Sequence, residues 1–311
     1  MRFAFGERWA EKRARIAATS LHFSNKWDLK SIIVKSNDDL RQEAFTMQLI
    51  ELCCEVFSEA HLLELCSGIQ SYRIVSTGSS TGVIECVRNA LSLDSLKKLP
   101  GYVSIKEHFQ EMTKYAADPV SMLETYQKNF VHSLAAYSLI CHLLQIKDRH
   151  NGNILLDTMG HIIHIDFGFV FGTAPGGSFS LEAGTPFKLT EEMMDVMGGI
   201  GGELFSDFVT LFCCGFIALQ RHSREILTLL EITYHSSSHN MPCFSEQPEK
   251  SCADFLQDVR MLLRTDLDSA GDSDDLLKTV KHALDLIKTS MSSYGTGQYD
   301  YFQYMSQGIA S

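Results

Sequence analysis

The stretch from residue 130 to residue 168 constrains the fold more than any other part of this chain. Phe130 to Ile146 carries apolar residues along one helical stripe, which predicts a helix. The polar loop KDRHNGN follows, and then two short apolar runs, NILL and HIIHID, flank the turn sequence DTMG. These runs predict a pair of strands that ends in Asp-Phe-Gly. The strand pair should therefore bring Asp166 opposite the polar loop.

The rest of the chain predicts a strand-rich beginning and a helical remainder. Ser31 to Lys35 reads as a strand, and Ser36 with Asp39 forms a capping-box pattern for a helix that should run to about Cys66. YRIVSTGSSTGVIECVRNA predicts two strands around a Gly/Ser turn, and helices should dominate after Thr190. The pattern is α+β and bilobal. We place the boundary so that residues 1–92 form the smaller lobe and residues 93–311 the larger one.

Composition excludes several classes of protein. The chain is 45% apolar and 21% charged, as in ordinary globular proteins, and its net charge of −11 disfavours nucleic acid as a partner. The same charge means that any contact with an anionic membrane must use a local patch. Phe208 to Gln220 is apolar over 13 residues; spanning a bilayer takes about 20, so a buried helix is expected. The N-terminus is too charged for a signal peptide.

The nine cysteines include two adjacent pairs, Cys53-Cys54 and Cys213-Cys214, and no CxxC motif. An odd number without metal-binding spacing favours a reducing compartment. We expect the thiols to act as small apolar side chains.

The polar residues of the chain supply the groups that phosphoryl transfer requires. ATP chemistry needs a cation on the phosphates, carboxylate or amide oxygens on Mg²⁺, and a group that orients the attacking hydroxyl. Lys35 closes a strand, and Glu43 follows eight residues later, where it could hold that lysine. Asp166 follows an apolar strand, as a metal-binding aspartate should, and Asn153 is placed to share the metal.

The groups that orient and deprotonate the attacking hydroxyl are expected on the loop before Asn153. Asp148 and His150 lie there together. A neutral imidazole near pH 7 can accept a proton, so we favour His150 as the base and Asp148 as its orienting partner.

Two other sequence patterns suggest a phosphate loop and a metal site, but a structural role is the better prediction for each. Thr77 to Gly82, TGSSTG, lacks the Gly-Lys-Ser/Thr ending of a phosphate loop, and no helix start follows. A hairpin turn is the better prediction. His161 and His164 alternate with isoleucines and should be strand-face side chains, with His164 near enough to shape the metal site.

VKSNDDLRQE, KDRHNGNILLD and HIIHIDFGF resemble the motifs of the phosphatidylinositol 3-/4-kinase family. Several longer stretches, including PFKLTEEMMDVMGG and YDYFQYMSQGI, resemble its type III beta 4-kinases. The similarity covers most of the chain and implies a bilobal kinase-like fold. Residues 147–153 would be the catalytic loop, residues 166–168 the DFG motif and residues 169–190 the activation loop.

The resemblance also implies further site residues. Tyr72 would line the adenine pocket, and Ile84, Glu85, Cys86 and Val87 would form the hinge that binds adenine through backbone groups. Lys35 would contact the ATP phosphates, with Glu43 orienting it, and Asn153 and Asp166 would hold Mg²⁺ or Mn²⁺. The loop that covers the phosphates would fall at Ala17 to Trp27, although that stretch lacks the expected glycine.

The activation loop should select the lipid. From Phe169 to Thr190 it holds one acid, Glu182, and one base, Lys188. A headgroup with additional phosphates would need several cations, so this loop favours plain phosphatidylinositol. Phosphorylation at the 4-hydroxyl rests on the resemblance alone, and a 3-kinase acting on phosphatidylinositol is the competing prediction. A protein kinase is disfavoured by the absence of GxGxxG, and a scaffold pseudokinase by the full set of catalytic residues.

The resemblance further implies peripheral association with cytoplasmic endomembranes, chiefly the Golgi, and regulation by partner proteins. The last helix should place Phe302, Met305 and Ile309 on one face. That face could lie on the bilayer interface or pack against the rest of the protein.

Overall fold

The structure, a computed structural model, describes residues 5–20, 24, 26–177, 180–182, 184–237, 241–247 and 249–311. The helices are α1 (Trp9–Thr19), α2 (Arg41–Glu59), α3 (Leu63–Gly68), α4 (Leu93–Lys97), α5 (Ile105–Thr113), α6 (Pro119–Leu144), α7 (Glu191–Val196), α8 (Glu203–Arg221), α9 (Ser223–Ser236), α10 (Pro242–Ser245), α11 (Cys252–Leu263), α12 (Ser273–Met291) and α13 (Tyr294–Gln307). The strands are β1 (Ile32–Ser36), β2 (Ile74–Gly78), β3 (Thr81–Glu85), β4 (Ala90–Ser92), β5 (Ile154–Asp157) and β6 (Ile162–His164). The predicted α+β architecture is confirmed.

The first sheet has the order β1-β3-β2, and its strand pairs are antiparallel. The hairpin predicted at Thr77 to Gly82 is confirmed, because β2 and β3 pair directly across it. Lys35 lies opposite Gly82. A Cβ at position 82 would lie 2.5 Å from Leu40 Cδ1, so glycine lets α2 approach this sheet closely.

The predicted single helix to Cys66 is wrong. The chain leaves α2 after Glu59, takes a left-handed conformation at His61 (φ 59°) and starts α3 at Leu63. This break turns α3 onto α6, where a Cβ at Gly68 would lie 2.7 Å from the His132 backbone. Burial against α6 therefore outweighs continuation of α2.

The predicted capping box is also wrong. The helix begins at Arg41 and its N-cap residue, Leu40, makes no side-chain cap. Asp39 instead accepts hydrogen bonds from the backbone N–H and the guanidinium of Arg41. The expectation that all nine cysteines are thiols needs correction as well, because the fold joins Cys54 of α2 to Cys66 of α3 in a disulfide.

Helix α6 forms the centre of the core and is longer than the predicted 130–146 segment. Its buried face packs against α3, α5 and α8, and Phe130 meets Phe109 edge to face. Among the described residues, α8 is the helix long and apolar enough to span a membrane, but half of its apolar stretch is buried in the protein. The buried helix predicted around Phe208 is confirmed.

The second sheet positions the site. Its order is β4-β5-β6, and Ile154 pairs with His164 in the antiparallel β5-β6 hairpin. This register brings the residue before β5 next to the residue after β6, as the bond from Ile165 N–H to the Asn153 carbonyl shows (3.1 Å). The chain passes from the first sheet to the second between Glu85 and Ala90. The domain division at residues 92 and 93 stays a prediction.

Candidate active site

Asp148, Asn153 and Asp166 converge at the open end of the β5-β6 hairpin. The Asn153 amide donates to the Asp148 carbonyl (3.0 Å) and to Asp148 Oδ2 (3.3 Å). Asp166 follows β6 by two residues, and its exposed carboxylate accepts from the Gly168 N–H through Oδ1 (3.4 Å). Because its Nδ2 donates to Asp148, Asn153 retains the amide oxygen as a free acceptor. The arrangement predicted for these three residues is present.

Both aspartates adopt the left-handed backbone region, at φ 64° for Asp148 and 63° for Asp166. That region is uncommon for residues other than glycine and is held by surrounding contacts. The Asp148 N–H donates to Glu182 Oε2 (2.8 Å), and its Oδ1 accepts from the Tyr299 hydroxyl. Asp148 is thus held through its backbone N–H by the activation loop and through its carboxylate by α13.

His150 lies beside Asp148, with Nε2 3.9 Å from Asp148 Oδ1. Burial lowers the pKa of His150 although the Asp148 charge opposes this, so the ring is neutral at pH 7. The Gly152 N–H donates to Nδ1 (3.1 Å), which places the hydrogen of the neutral ring on Nε2. This tautomer favours Asp148, rather than His150, as the proton acceptor. The role of His150 as base stays a prediction.

Arg149 was missed by the sequence reasoning, although it is the central residue of Asp-Arg-His. It is buried, and its guanidinium donates to the carbonyls of Lys147 (3.0 Å), Ile165 (2.8 Å) and Asp166. These bonds cross from the catalytic loop to the segment that leads into DFG. Arg149 therefore fixes the separation between the two halves of the site.

Gln42 was also missed, because an isolated glutamine next to Glu43 gives no sequence signal. Its buried amide donates to the carbonyls of Phe167 (3.0 Å) and Gly168 (2.7 Å). Its Oε1 accepts from the Cys243 N–H of α10 (2.7 Å). Helix α2 is thereby joined directly to the DFG backbone.

Lys35 takes a different partner from the one predicted. Its ammonium pairs with Asp38 (3.3 Å), and among the described residues it forms no ion pair with Glu43. Burial works against the charge of Lys35, but Asp38, Glu43 and Asp166 together raise its pKa. Burial, and then the charge of Asp166, raises the pKa of Glu43 to about 7. Lys35, Glu43 and Asp166 therefore share one electrostatic environment.

The predicted adenine residues lie at the end of the first sheet. Tyr72 is buried, and burial followed by the Glu43 charge raises its pKa. Ile84 and Glu85 end β3, and Cys86 donates its N–H to the Ser31 carbonyl (3.0 Å). The backbone of Val87 has no hydrogen-bond partner among the described residues, so it is free for an adenine.

The predicted phosphate-covering loop at 17–27 is only partly within the structure. Residues 21–23 and 25 lie outside the described residues. The beginning of the stretch is helical, because α1 continues to Thr19. The predicted loop start at Ala17 is therefore wrong.

The activation loop contains three residues that were predicted to select the substrate. All three make contacts within the protein. The Phe169 carbonyl accepts from the Lys147 N–H (3.0 Å), and buried Glu182 holds the Asp148 N–H. Buried Lys188 donates to both carboxylate oxygens of Asp300 on α13 (2.7 and 2.8 Å). Both charged side chains of this loop are thus engaged within the protein, Lys188 by an ion pair and Glu182 by a backbone hydrogen bond.

The oxygen donors fit Mg²⁺ or Mn²⁺. Asn153 and Asp166 offer an amide and a carboxylate oxygen, the hard ligands that Mg²⁺ prefers when phosphates supply the rest. The described residues contain no group of three His, Cys, Asp or Glu arranged to hold a metal. His161 pairs with Asp157 (3.0 Å), and His164 stacks on Tyr137 with ring centroids 4.7 Å apart. Both histidines therefore have structural contacts.

Comparison with known proteins shows the family. Residues 30–244 match the family described as "Phosphatidylinositol 3- and 4-kinase". The chain is 39% identical over 310 residues to Phosphatidylinositol 4-kinase beta 1 of Arabidopsis thaliana, covering 98% of this chain and 26% of the relative. It is 38% identical to Phosphatidylinositol 4-kinase PIK1 of Saccharomyces cerevisiae, covering 98% of this chain and 28% of the relative.

A vertebrate relative gives the same result. Phosphatidylinositol 4-kinase beta of Xenopus tropicalis is 37% identical over 309 residues, covering 98% of this chain and 35% of the relative. The chain spans between a quarter and about a third of the length of these curated relatives. The family match covers the residues from Lys30 through the DFG motif to α10. The chain belongs to the phosphatidylinositol 3- and 4-kinase family.

Proposed function

We propose that this chain is the catalytic part of an ATP-dependent lipid kinase that phosphorylates the 4-hydroxyl of phosphatidylinositol. The observation that carries the proposal is the convergence of Asp148, Asn153 and Asp166 at one end of the β5-β6 hairpin. The relatives that match nearly the whole chain are named phosphatidylinositol 4-kinases, which supports the 4-hydroxyl over the 3-hydroxyl.

The residues of the site divide the work of phosphoryl transfer. ATP would bind with adenine at the free Val87 backbone and with its phosphates near Lys35. Asn153 and Asp166 would hold Mg²⁺, which when bound supplies charge neutralisation on the phosphates. Release of Lys35 from Asp38 would let it turn to the phosphates, with Glu43 close enough to orient it.

The proton of the lipid hydroxyl is handled by Asp148 and His150. Asp148 is the favoured acceptor, because the neutral His150 ring carries its hydrogen on Nε2. His150 would then donate from Nε2 toward Asp148 or a phosphate oxygen. Replacing Asp148 with Asn should abolish turnover, whereas His150→Gln, which retains a side-chain N–H donor, should keep part of it.

Substrate choice follows from the absence of available charge in the activation loop. Lys188, the one basic residue of the loop, is buried and paired with Asp300, so it cannot offset the phosphates of a more highly charged headgroup. The chain should therefore phosphorylate phosphatidylinositol in preference to phosphatidylinositol 4,5-bisphosphate.

The test is to incubate the chain with phosphatidylinositol vesicles, ATP and Mg²⁺ and to resolve the positional isomer of the product. Phosphatidylinositol 4-phosphate is expected. The 3-phosphate would establish the 3-kinase alternative, and label in a protein substrate alone would favour a protein kinase. Asp166→Asn is the matched control: lipid kinase activity that survives this change would refute the metal role of Asp166.

The membrane contact is proposed for the outer face of α13. Tyr301, Phe302, Tyr304 and Met305 are each more than half exposed there, which suits insertion into a bilayer interface. Ile309, predicted to share this face, lies beyond the helix end, where its Cδ1 comes within 3.8 Å of a Cβ built on Gly152. Phe302→Ser with Met305→Ser should reduce vesicle binding in a flotation assay without changing ATP binding. Equal binding by the double variant would remove α13 as the contact.

Peripheral association with Golgi or other cytoplasmic endomembranes, and regulation by protein partners, extend the same proposal. This part of the proposal rests on the resemblance of the chain to phosphatidylinositol 4-kinases. Imaging of a fluorescent fusion of the chain against Golgi markers tests the location. Diffuse fluorescence with no membrane enrichment would contradict it.

A further inference from the structure

Helix α13 buries one edge against the catalytic loop. Thr296, Tyr299 and Gln303, spaced three and four residues apart, are each no more than 9% exposed. The helix is anchored by the Lys188–Asp300 ion pair and by the contact between the hydroxyls of Thr185 and Ser293. Tyr299 is therefore held in place by groups outside the catalytic loop.

The hydrogen bonds around Tyr299 have a defined direction. The amide Nε2 of Gln303 donates to the Tyr299 oxygen (2.6 Å), and the Tyr299 hydroxyl contacts Asp148 Oδ1. Because an amide nitrogen can only donate, the single hydrogen of the phenol must point to the carboxylate. Burial, and then the bond to Asp148, raises the pKa of Tyr299, so the hydroxyl stays protonated.

Tyr299 completes the set of contacts that orients Asp148. The opposite carboxylate oxygen, Oδ2, accepts from Asn153 (3.3 Å), and the Asp148 N–H is bonded to Glu182 (2.8 Å). The left-handed backbone of Asp148 needs such external contacts to persist. Of these contacts, the Tyr299 bond is the one that comes from the C-terminal helix.

The residues after α13 reinforce the same loop. The Asn151 amide donates to the Ala310 carbonyl (2.7 Å), and the Ala310 N–H donates to Asp94 (2.6 Å). The C-terminal segment therefore contacts the catalytic loop at both Asp148 and Asn151.

We propose that Tyr299 is a positioning residue for phosphoryl transfer, whose hydroxyl directs the Asp148 carboxylate toward the attacking lipid hydroxyl, with Gln303 fixing the direction of that bond. The proposal rests on the proposed lipid kinase function. Tyr299 acts through Asp148, so its loss should affect turnover and leave nucleotide binding intact.

The test compares Tyr299→Phe with the unsubstituted chain on phosphatidylinositol vesicles. The kcat should fall about tenfold or more, because a hydrogen bond to a charged group is lost. The KM for ATP should stay unchanged, and the loss of one buried hydrogen bond should lower the melting temperature by only a few degrees. Tyr115→Phe is the matched control and should keep full activity. Tyr115 is 81% exposed, and its ring contacts Lys114 rather than a residue of the site.

Gln303→Glu provides a second, nearly isosteric variant. A carboxylate at position 303 accepts the phenol hydrogen and draws it away from Asp148, so kcat should fall as for Tyr299→Phe. Unchanged kcat in both variants, or a loss shared equally by kcat and ATP binding, would overturn the positioning role. An unsubstituted chain that phosphorylates no phosphatidylinositol would instead contradict the proposed function.

Discussion

Lys188 of the activation loop donates to both carboxylate oxygens of Asp300 on α13, at 2.7 and 2.8 Å, and its side chain is only 3% exposed. Burial lowers the pKa of Lys188, and the Asp300 charge opposes that shift. The one basic residue of the loop is therefore committed to holding α13 against the site.

Breaking this buried pair should destabilise the protein without changing its lipid preference. Lys188→Met leaves the Asp300 carboxylate without its partner and should lower the free energy of unfolding by about 3–5 kcal/mol, measured by urea denaturation. The double variant Lys188→Met, Asp300→Leu should recover much of that loss. If the double variant gained activity on phosphatidylinositol 4,5-bisphosphate, the charged pair would be shown to influence the choice of lipid headgroup.

Arg149→Lys should impair both stability and turnover. A lysine cannot reach all four carbonyls that the guanidinium joins, so at least two buried acceptors lose their donor. We expect a loss of about 2–4 kcal/mol in the free energy of unfolding. Arg15→Lys, at an exposed ion pair, is the matched control and should have almost no effect. Similar losses of unfolding free energy in Arg149→Lys and Arg15→Lys would show that the Arg149 hydrogen bonds contribute little to stability.

Gln42→Glu should loosen the DFG backbone. The substituted carboxylate still accepts from the Cys243 N–H but cannot donate to the carbonyls of Phe167 and Gly168. Hydrogen exchange at residues 167–169 should become faster, and the free energy of unfolding should fall by about 1–3 kcal/mol. Gln48→Glu, on the exposed face of the same helix, serves as the control. Exchange rates equal to those of Gln48→Glu would show that the Gln42 hydrogen bonds do not hold the DFG backbone.

Glu43→Gln should stabilise the protein at alkaline pH while reducing turnover. The pKa of Glu43 is raised to about 7 in the folded state, so the folded state binds more protons than the unfolded one between the two pKa values. Its contribution to stability is fully present below about pH 4.5 and is lost as pH rises through about 7. A neutral glutamine avoids that loss, by up to about 3 kcal/mol at pH 8.

Chemical denaturation at pH 4.5 and pH 8 checks this expectation, since the two chains should differ only at the higher pH. Asp166→Asn gives an independent measurement, because removing its charge should lower the pKa of Glu43 in an NMR titration. A Glu43 pKa that stays the same in Asp166→Asn would mean that the two carboxyl groups do not interact.

Local patterns were sufficient to predict most elements near the site. The β2-β3 hairpin, the long helix before residue 147 and the β5-β6 pair follow from periodicity and turn residues. Because strand register then fixes neighbours, the meeting of Asn153 with the segment before Asp166 was also predictable. The end of α2 was not, since packing of α3 against α6 overrides the helical pattern that continues to Cys66.

The sequence by itself determined the order of the elements around the site, the positions of Asp148, Asn153 and Asp166 on them, and the kind of chemistry that these groups support. Only the tertiary structure determined which partner each charged or polar side chain takes. Glu182, Lys188 and Tyr299 have partners 34, 112 and 151 residues away along the chain. A hydrogen bond or ion pair depends on distances of about 3 Å and on burial, and no local pattern encodes either between such distant residues.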